Sequence, residues 1–240
     1  MSNRISACFL DVKCYLNIMN PSKRIRLTRE ESQALTRERL LESAAREITR
    51  HGAGASVRDI AEAAGYSQGA VYANFESKEL MFLELLRRHM EKEAGELEAL
   101  LSRADHQPGG ALAALNSWIE TMNADRDWSV LSLELQMCAS RDEGFAVHYD
   151  RLFAQHRTTM GRLTERLFTE VGREPPAPPI EIAGALMALT HGLVLQRRPR
   201  PQGSPDPAGH MIKLILKGLF EISRPAPGEK PRKGAELTPR

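Results

Sequence analysis

Apolar residues recur at three- and four-residue steps along most of this chain, and this spacing predicts α-helices. An early case runs from about residue 35 to residue 51, where Leu40, Ala44 and Ile48 share one face and Gly52 ends the pattern. Further helical patterns occupy residues 78–100, 110–124, 127–140, 144–171, 178–195 and 206–222. Because the sequence lacks the sustained apolar–polar alternation of strands, we predict an all-α fold.

Two short helices and the start of a third are predicted just after that glycine. Ser56, followed three residues later by Asp59, matches a capping box, and Gly65 supplies the left-handed residue that ends the first helix. Ser67 and Ser77 are suitable N-caps for the next two helices. The small Ala-Ala-Gly corner allows the first two helices to cross steeply, which is typical of a helix-turn-helix.

The same stretch, from about Thr36 to Leu86, resembles the DNA-binding domain of the TetR family of bacterial transcriptional regulators. The matching pattern is Ser-Val-Arg-Asp-Ile-Ala, Ala-Ala-Gly, Ser-x-Gly-x-Val-Tyr-x-x-Phe and Ser-Lys-Glu. A generic helix-turn-helix would not match at Tyr72, Phe75 and Lys78. The spacing of these three residues makes the resemblance specific to this family. Beyond Leu86 the likeness consists of length and helical pattern alone. The resemblance implies an N-terminal three-helix DNA-binding domain and a C-terminal helical domain for ligand binding and dimerisation.

In a helix-turn-helix the first residues of the second helix face base edges in the major groove. Ser67, Gln68 and Gly69 then point at DNA. Tyr72 follows one turn later and can contact a phosphate or a base. Gln68 can pair bidentately with adenine N6 and N7. Lys78 and the free amides at the start of its helix suit a backbone phosphate.

Some of these residues also have a purely structural interpretation. Ser67 is at least a helix cap, Tyr72 is alternatively an aromatic at the edge of the core, and Lys78 is alternatively a solvated lysine. Gln68 has the least structural reason for its position. The family resemblance implies two further DNA contacts, at Thr36 and Arg58. It also implies an aromatic residue directly after Tyr72; this chain has Ala73 there, and we expect Asn74 to replace part of that contact.

Composition narrows the class of protein. The chain has 240 residues and a formal net charge of only +2, so DNA binding requires a local basic patch. Its three cysteines, Cys8, Cys14 and Cys138, are odd in number and lack metal-binding spacing, which indicates a reducing compartment. We expect a cytoplasmic protein without a membrane span, metal or cofactor. No combination of nucleophile and base or phosphate-binding glycine loop indicates an enzyme.

We expect four segments along the chain. They are a disordered N-terminal extension (1–27), a helix-turn-helix domain (28–83), a helical regulatory and dimerisation domain (84–223) and a disordered tail (224–240). Met19 is a candidate native start, since the residues before it lack periodicity. The basic residues that follow form either an arm that touches DNA or an ordinary solvated terminus. They are Lys23, Arg24, Arg26 and Arg29.

The last two helical patterns are apolar nearly all round, which predicts a dimer interface. Gly184, Ala188 and Gly192 form a small-residue stripe at four-residue steps, and Ile212, Ile215 and Leu219 belong to the final pattern. In the family that the chain resembles, these two helices pair with their copies as a four-helix bundle. Burial within one subunit is the alternative. A symmetric dimer would place two recognition helices about 34–36 Å apart on a near-palindromic operator.

Aromatic residues, methionines and one carboxylate in the middle helices are candidates for an effector pocket, which the resemblance implies. They are Trp118, Met122, Trp128, Glu134, Met137, Phe145, Tyr149 and Phe153. Plain core is the alternative for such residues. We interpret His148, His156 and His191 as ordinary helix residues rather than metal ligands.

Together these patterns and the family resemblance favour a homodimeric DNA-binding regulator that is released by a small apolar or aromatic effector. A repressor is preferred to an activator only because repressors are the commoner kind in that family. Two alternatives remain at this stage. One is a DNA-binding protein that is independent of any effector or is controlled by a protein partner. The other, of a different class, is a ligand carrier or an enzyme.

Overall fold

The structure is a computed structural model that describes residues 28–104, 110–122, 126–195 and 207–226. Nine α-helices lie in these ranges: α1 (Arg29–His51), α2 (Val57–Ala64), α3 (Gln68–Asn74), α4 (Lys78–Ala104), α5 (Gly110–Met122), α6 (Arg126–Ala139), α7 (Glu143–Glu170), α8 (Pro179–Leu195) and α9 (Pro207–Ile222). A short 3₁₀ turn, Gly52–Gly54, follows α1. The predicted all-α fold is confirmed. Within the described ranges, β-pairing is confined to one isolated bridge between Arg173 and Pro225.

The first helix begins about six residues before the point that apolar spacing predicts. Thr28 accepts a hydrogen bond from the Glu31 backbone N–H (3.1 Å), and the Glu31 carboxylate accepts one from the Thr28 N–H (2.9 Å). This capping box starts α1 at Arg29. The first turns are exposed and carry no apolar face, so hydrophobic periodicity could not find them.

The predicted caps of the next three helices are confirmed. The Ser56 hydroxyl accepts from the Asp59 N–H (3.1 Å), and the Ser67 and Ser77 hydroxyls accept from the amides three residues later (3.2 and 3.1 Å). Gly65 has φ of 75°, the left-handed conformation that ends α2. One detail differs from a capping box, since the Asp59 carboxylate accepts from the Ser56 hydroxyl rather than from its backbone.

Two apolar cores follow one another along α4. The first contains the buried faces of α1 to α3 and the start of α4, with Ile60, Val71 and Phe82 at its centre, and it continues into α6 and α7. The second joins the later part of α4 to α5, α7 and α9. Helix α4 therefore crosses residues 83 and 84, where the two domains are predicted to meet, without a break. The domain limits remain a prediction.

Close packing of α7 against the start of α8 depends on one glycine. A Cβ placed on Gly161 would lie 2.9 Å from the Cα of Ile180, closer than real Cβ contacts come. Helices α7 and α8 pack extensively against each other, and α8 also packs against α6.

Part of the predicted termini falls within the described residues. Residues 224–226 pair with the turn after α7: the Glu174 N–H donates to the Arg224 carbonyl (2.8 Å) and the Ala226 N–H to the Gly172 carbonyl (3.0 Å). The tail predicted from residue 224 is thus hydrogen-bonded at its start. The rest of that tail, the extension 1–27 and the candidate start Met19 lie outside the described residues.

Candidate functional site

Helix α3 buries one face and presents the other to solvent. Val71 and Phe75 are buried in the first core, while Gln68 and Gly69 are exposed and the Tyr72 side chain is 56% exposed. Ser67 caps the helix and is itself exposed. The residues predicted to read DNA therefore share the open face of a helix that the core holds by its other side. This is the arrangement that reading base edges in a groove requires.

Thr36 and Arg58 lie on the helices beside α3. Arg58 is exposed, and its Nε lies 3.6 Å from a carboxylate oxygen of Glu62 one turn on. Thr36 donates to the Ser32 carbonyl (2.9 Å). Thr36 also hydrogen-bonds with Tyr66, and together with Arg39 it lowers the pKa of that phenol. Tyr66 precedes the cap of α3, and no motif in the sequence singles it out.

Asn74 and Lys78 are engaged within the protein. The Asn74 amide donates to the Ala70 carbonyl (2.8 Å), so its side chain turns back onto its own helix instead of extending beside Tyr72. The Lys78 ammonium donates to the Ala55 carbonyl (3.1 Å) and lies 5.3 Å from the centroid of the Phe82 ring. A phosphate contact by either residue remains a prediction and requires a change of rotamer.

A polar network ties the end of α3 to α1 and α4. Arg37 donates to the Asn74 carbonyl and to the Glu84 carboxylate, and its guanidinium carbon lies 4.0 Å from the centroid of the Phe75 ring. Arg88 in turn binds Glu38 through two hydrogen bonds (2.6 and 2.8 Å) and Glu84 through one (3.1 Å). The orientation of α3 is therefore linked to that of α4. Hydrophobic periodicity places Arg37 and Arg88 on helices, but it does not show that both bind Glu84.

The C-terminal helices surround a cavity of about 140 Å³. All six helices from α4 to α9 contribute, through Leu86, His89, Met90, Glu93, Leu97 and Leu101 of α4; Leu115 and Trp118 of α5; Trp128, Ser129 and Ser132 of α6; His156, Met160, Leu163, Thr164 and Leu167 of α7; Ala183, Leu186, Met187, Thr190 and His191 of α8; and Ile212 and Leu216 of α9. Two of the residues predicted for an effector pocket, Trp118 and Trp128, are among them.

The other predicted pocket residues lie elsewhere. Phe145, Tyr149 and Phe153 belong to or pack against the first core, where the last two rings stack with centroids 4.2 Å apart. Met137 is 54% exposed, and Glu134 is half-buried outside the cavity. The side chain of Met122 falls outside the described part. A count of aromatic residues and methionines identifies apolar helices but cannot tell which face of each helix meets a cavity.

Polar groups converge at one end of the cavity. The rings of His89 and Trp128 stack in parallel at 4.5 Å, and His89 Nε2 lies 3.3 Å from a carboxylate oxygen of Glu93. The Trp118 indole donates to the Glu93 backbone carbonyl (3.0 Å). Burial lowers the pKa of both His156 and His191, so these two histidines are neutral at pH 7. In the described ranges, no group of three or more His, Cys, Asp or Glu side chains is arranged to hold a metal ion.

Acidification is expected to destabilise the fold through these two histidines. Since their pKa values in the folded chain lie below the ordinary value of about 6.5, the unfolded chain binds more protons once the pH falls below that value. The free energy of unfolding should therefore drop between pH 7 and pH 5, as urea denaturation can measure. His156→Gln and His191→Gln should each reduce that drop. Gln155→Ala, which removes no titratable group from an exposed position on the same helix as His156, should retain the wild-type dependence; equal slopes in all three variants would contradict the assignment.

On α8 and α9, the apolar side chains that are exposed differ from those that the sequence predicted for the dimer interface. Ile212 is only 4% exposed and lies in the second core, and Leu219 is half-buried and packs against that core. Gly184 is approached by the Arg157 side chain, whereas Ala188 is exposed and no atom of another residue comes near a Cβ placed on Gly192. Ile215 is half-buried. The exposed apolar side chains of α9 are Met211 (40%), Leu214 (48%) and Ile222 (71%).

The comparisons with known proteins agree with this architecture. Residues 40–85 match the family model of bacterial regulatory proteins, tetR family. No curated protein matches the chain in sequence. No helix in the described ranges is both long and apolar enough to cross a membrane.

Solved structures share the whole fold. A protein from Mesorhizobium loti MAFF303099, described as a TetR-family transcriptional regulator, aligns with a TM-score of 0.60 over 82% of this chain and 99% of its own, at 17% identity. A transcriptional regulator from Rhodococcus sp. RHA1 aligns at 0.56 over 78% and 97%, at 23% identity. A regulator from Saccharomonospora viridis, solved in complex with choline, aligns at 0.56 over 80% and 99%, at 21% identity. Residues 40–85 therefore carry a DNA-binding domain of the tetR family of bacterial regulatory proteins, and the chain has the all-α fold of these solved regulators.

Proposed function

We propose that this chain is a homodimeric repressor that binds a near-palindromic operator and is released from it by a small apolar or aromatic molecule. The observation that carries the proposal is the open face of α3, on which Gln68, Gly69 and Tyr72 are exposed. The opposite face of the helix is buried in the core. Repression rather than activation is inferred from the usual behaviour of the family. A cytoplasmic location follows from the same proposal, since the operator is chromosomal DNA.

The exposed stripe on α9 supports the dimer. Met211, Leu214 and Ile222 recur at steps that place them on one face of the helix, and Gly218 lies between them on the same face. An apolar stripe of this kind usually marks an interaction surface. One helix-turn-helix reads only a few base pairs. A two-fold pair of DNA-binding domains, here called heads, with recognition helices about 34–36 Å apart supplies the length of sequence that a specific operator needs.

Two helices connect the cavity with the DNA-binding domain. Helix α6 lines the cavity with Trp128 and Ser132 near its start, and its later residues Cys138 and Ala139 pack against the first core beside the Gly52–Gly54 turn. Helix α4 carries Glu84 and Arg88 of the polar network, and His89 lines the cavity directly after them. A ligand that moves either helix would change the angle and spacing of the two heads, and so the affinity for DNA.

A small organic ligand is consistent with the relatives. The Saccharomonospora viridis protein of the same fold was solved with choline, a molecule of a few heavy atoms. The cavity of this chain lies among the helices that would have to move, and the indole rings of Trp118 and Trp128 line it. We therefore place the effector site in this cavity.

The proposal is tested by fluorescence-anisotropy titration of the full chain against DNA upstream of its own gene at two salt concentrations. Gln68→Ala is expected to relax the preference at one base pair in each half-site, by about 1–3 kcal/mol, because a bidentate base contact is lost. Lys78→Ala is expected to weaken binding to all sequences and to flatten the salt dependence, since a phosphate contact is lost. Gln136→Ala, an exposed glutamine on α6, serves as the matched control and should leave both unchanged.

The outcomes separate the possibilities. Tight, salt-sensitive binding that depends on Gln68 would support the sequence-reading interface. If binding is weak and Gln68→Ala does not change it, the next experiment is a selection of bound sites from random genomic fragments. If no site were enriched, the assignment of a DNA-reading regulator would be wrong for this chain. If an operator were found but no compound in a thermal-shift screen bound the protein, control by a protein partner would replace release by a small effector.

A further inference from the structure

The cavity has a polar end and an apolar end. Helices α4 and α7 run side by side in the same direction, as the Glu98–Arg162 ion pair (3.8 Å) and the Arg166–Ser102 hydrogen bond (3.1 Å) show. His89 and Glu93 on α4 therefore lie at the level of His156 on α7, whereas four of the cavity-lining leucines of these helices follow about two turns later. These leucines are Leu97, Leu101, Leu163 and Leu167.

We propose that the cavity selects a small organic cation, an amine or ammonium group on an apolar body about as large as one aromatic ring, with Glu93 as its counter-ion. This inference rests on the proposed function, because it names the chemical class of ligand that the effector site would take. Four features of the described residues support it: the charge of the lining, the state of its histidines, the aromatic surfaces beside Glu93 and the size of the apolar end.

The charge of the lining favours a cation. Within the described part of the chain, Glu93 is the only carboxylate among the lining residues, and none of them is Lys or Arg. An anionic ligand would leave water for a site without a fixed positive charge and with a carboxylate in place, which is costly in a mostly apolar surrounding. A cationic ligand would instead meet an opposite charge.

Two of the three histidines that line the cavity, His156 and His191, do not reverse this balance at neutral pH. Because burial keeps His156 and His191 in their neutral form, they can accept a hydrogen bond from a ligand N–H but add no positive charge. His89 Nε2 lies 3.3 Å from Glu93, so the carboxylate is held in place at the edge of the cavity. The buried Ser132 hydroxyl lines the cavity as well. It lies beside the Tyr149 hydroxyl but has no hydrogen bond of normal geometry, and it is therefore able to accept one from a ligand.

The aromatic surfaces beside Glu93 suit a cation too. The Trp118 N–H is already used by the Glu93 carbonyl, so the rest of that indole offers the ligand only its π-surface and ring edge. Trp128 is stacked on His89 next to the same carboxylate. The face of an indole ring attracts ammonium groups, and more strongly where the site excludes water.

The volume limits the size of the apolar body. A buried cavity of about 150 Å³ lined by aliphatic and aromatic side chains is known to accept benzene. The cavity here, at about 140 Å³, is of that size, and its far end is lined by leucines and by Ile212 and Leu216 of α9. One aromatic ring or a short branched alkyl group fits this space.

Three probes of nearly equal size test the charge preference: benzylamine, benzyl alcohol and benzoate. Binding to the full chain without DNA is measured by calorimetry and by intrinsic fluorescence, because both tryptophans of the protein line the cavity. Benzylamine is expected to bind at least 10-fold more tightly than either benzyl alcohol or benzoate. Glu93→Gln should weaken benzylamine at least 10-fold and leave benzyl alcohol within about 3-fold. Glu98→Gln, on the same helix but outside the cavity, should bind all three probes like the wild type.

The wild-type series alone can overturn the inference, even if the Glu93 variant does not fold. Preference for benzoate, equal affinity for all three probes, or no binding of any probe at millimolar concentration would reject the cation site. These results would leave the regulator proposal intact as long as the operator is still bound. Conversely, Glu93-dependent binding of benzylamine by a protein that enriches no DNA site would uphold the cation site and reject the proposed function.

Discussion

Replacing Leu214 and Ile222 together by glutamate is expected to convert the proposed dimer into a monomer and to lower operator affinity at least 100-fold. Both side chains lie on the exposed stripe of α9 and would be buried between two copies. The substitution places four carboxylates in a two-fold apolar interface, where unpaired charges are strongly unfavourable. Two unlinked heads then bind the half-sites separately, and the gain from holding both at once is lost.

Sedimentation equilibrium and anisotropy titration measure the two effects on the same preparations. Val147→Glu is the matched control, because Val147 is 57% exposed on α7 and away from the stripe; it should remain dimeric and bind DNA normally. Circular dichroism checks that the double variant is folded. A double variant that stays dimeric would show that α9 is not the interface. A monomer that binds the operator as tightly as the wild type would show that dimerisation is not required.

A methyl group at Gly161 is expected to destabilise the protein, whereas the same methyl group at Gly95 is expected to stabilise it. Both glycines lie inside long helices, so replacement by alanine raises helix propensity at each site by about 1 kcal/mol. At Gly95 the added carbon meets no atom of another residue within 4 Å. At Gly161 it would lie 2.9 Å from the Ile180 Cα, and backbone cannot move aside as a flexible side chain can.

The gain in helix propensity is the same in both variants. The difference between their free energies of unfolding therefore measures the cost of the close contact between α7 and α8. Overpacking of this kind costs about 1–3 kcal/mol, which is the expected difference in the free energy of unfolding between Gly95→Ala and Gly161→Ala. Urea denaturation at one fixed protein concentration measures it, since the stability of a dimer depends on concentration. Displacement of α8 should also weaken ligand binding in the Gly161 variant, because α8 lines the cavity. Equal stabilisation by both substitutions would refute the packing argument.

Much of the fold follows from short-range signals. The caps at Ser56, Ser67 and Ser77 and the left-handed Gly65 involve residues at most four positions apart, so the sequence alone predicts them and the structure confirms them. The same is true of α5 to α9, whose observed bounds lie within about two residues of the apolar patterns, whereas α4 extends four residues beyond its pattern, to Ala104. The start of α1 was missed because a polar capping box, not a hydrophobic face, determines it.

The sequence by itself therefore determined the all-α class, the helix-turn-helix and the likeness of residues 40–85 to the tetR-family domain, because each depends on local hydrogen bonds or on a contiguous motif. Tertiary structure alone decided which face of each apolar helix meets the core, the cavity or solvent. Periodicity cannot orient a helix that is apolar nearly all round, so Ile212 turned inward while Leu214 faces out. The polar end of the cavity joins His89, His156 and His191 across more than 100 positions of sequence, and such a meeting depends on how α4, α7 and α8 pack together.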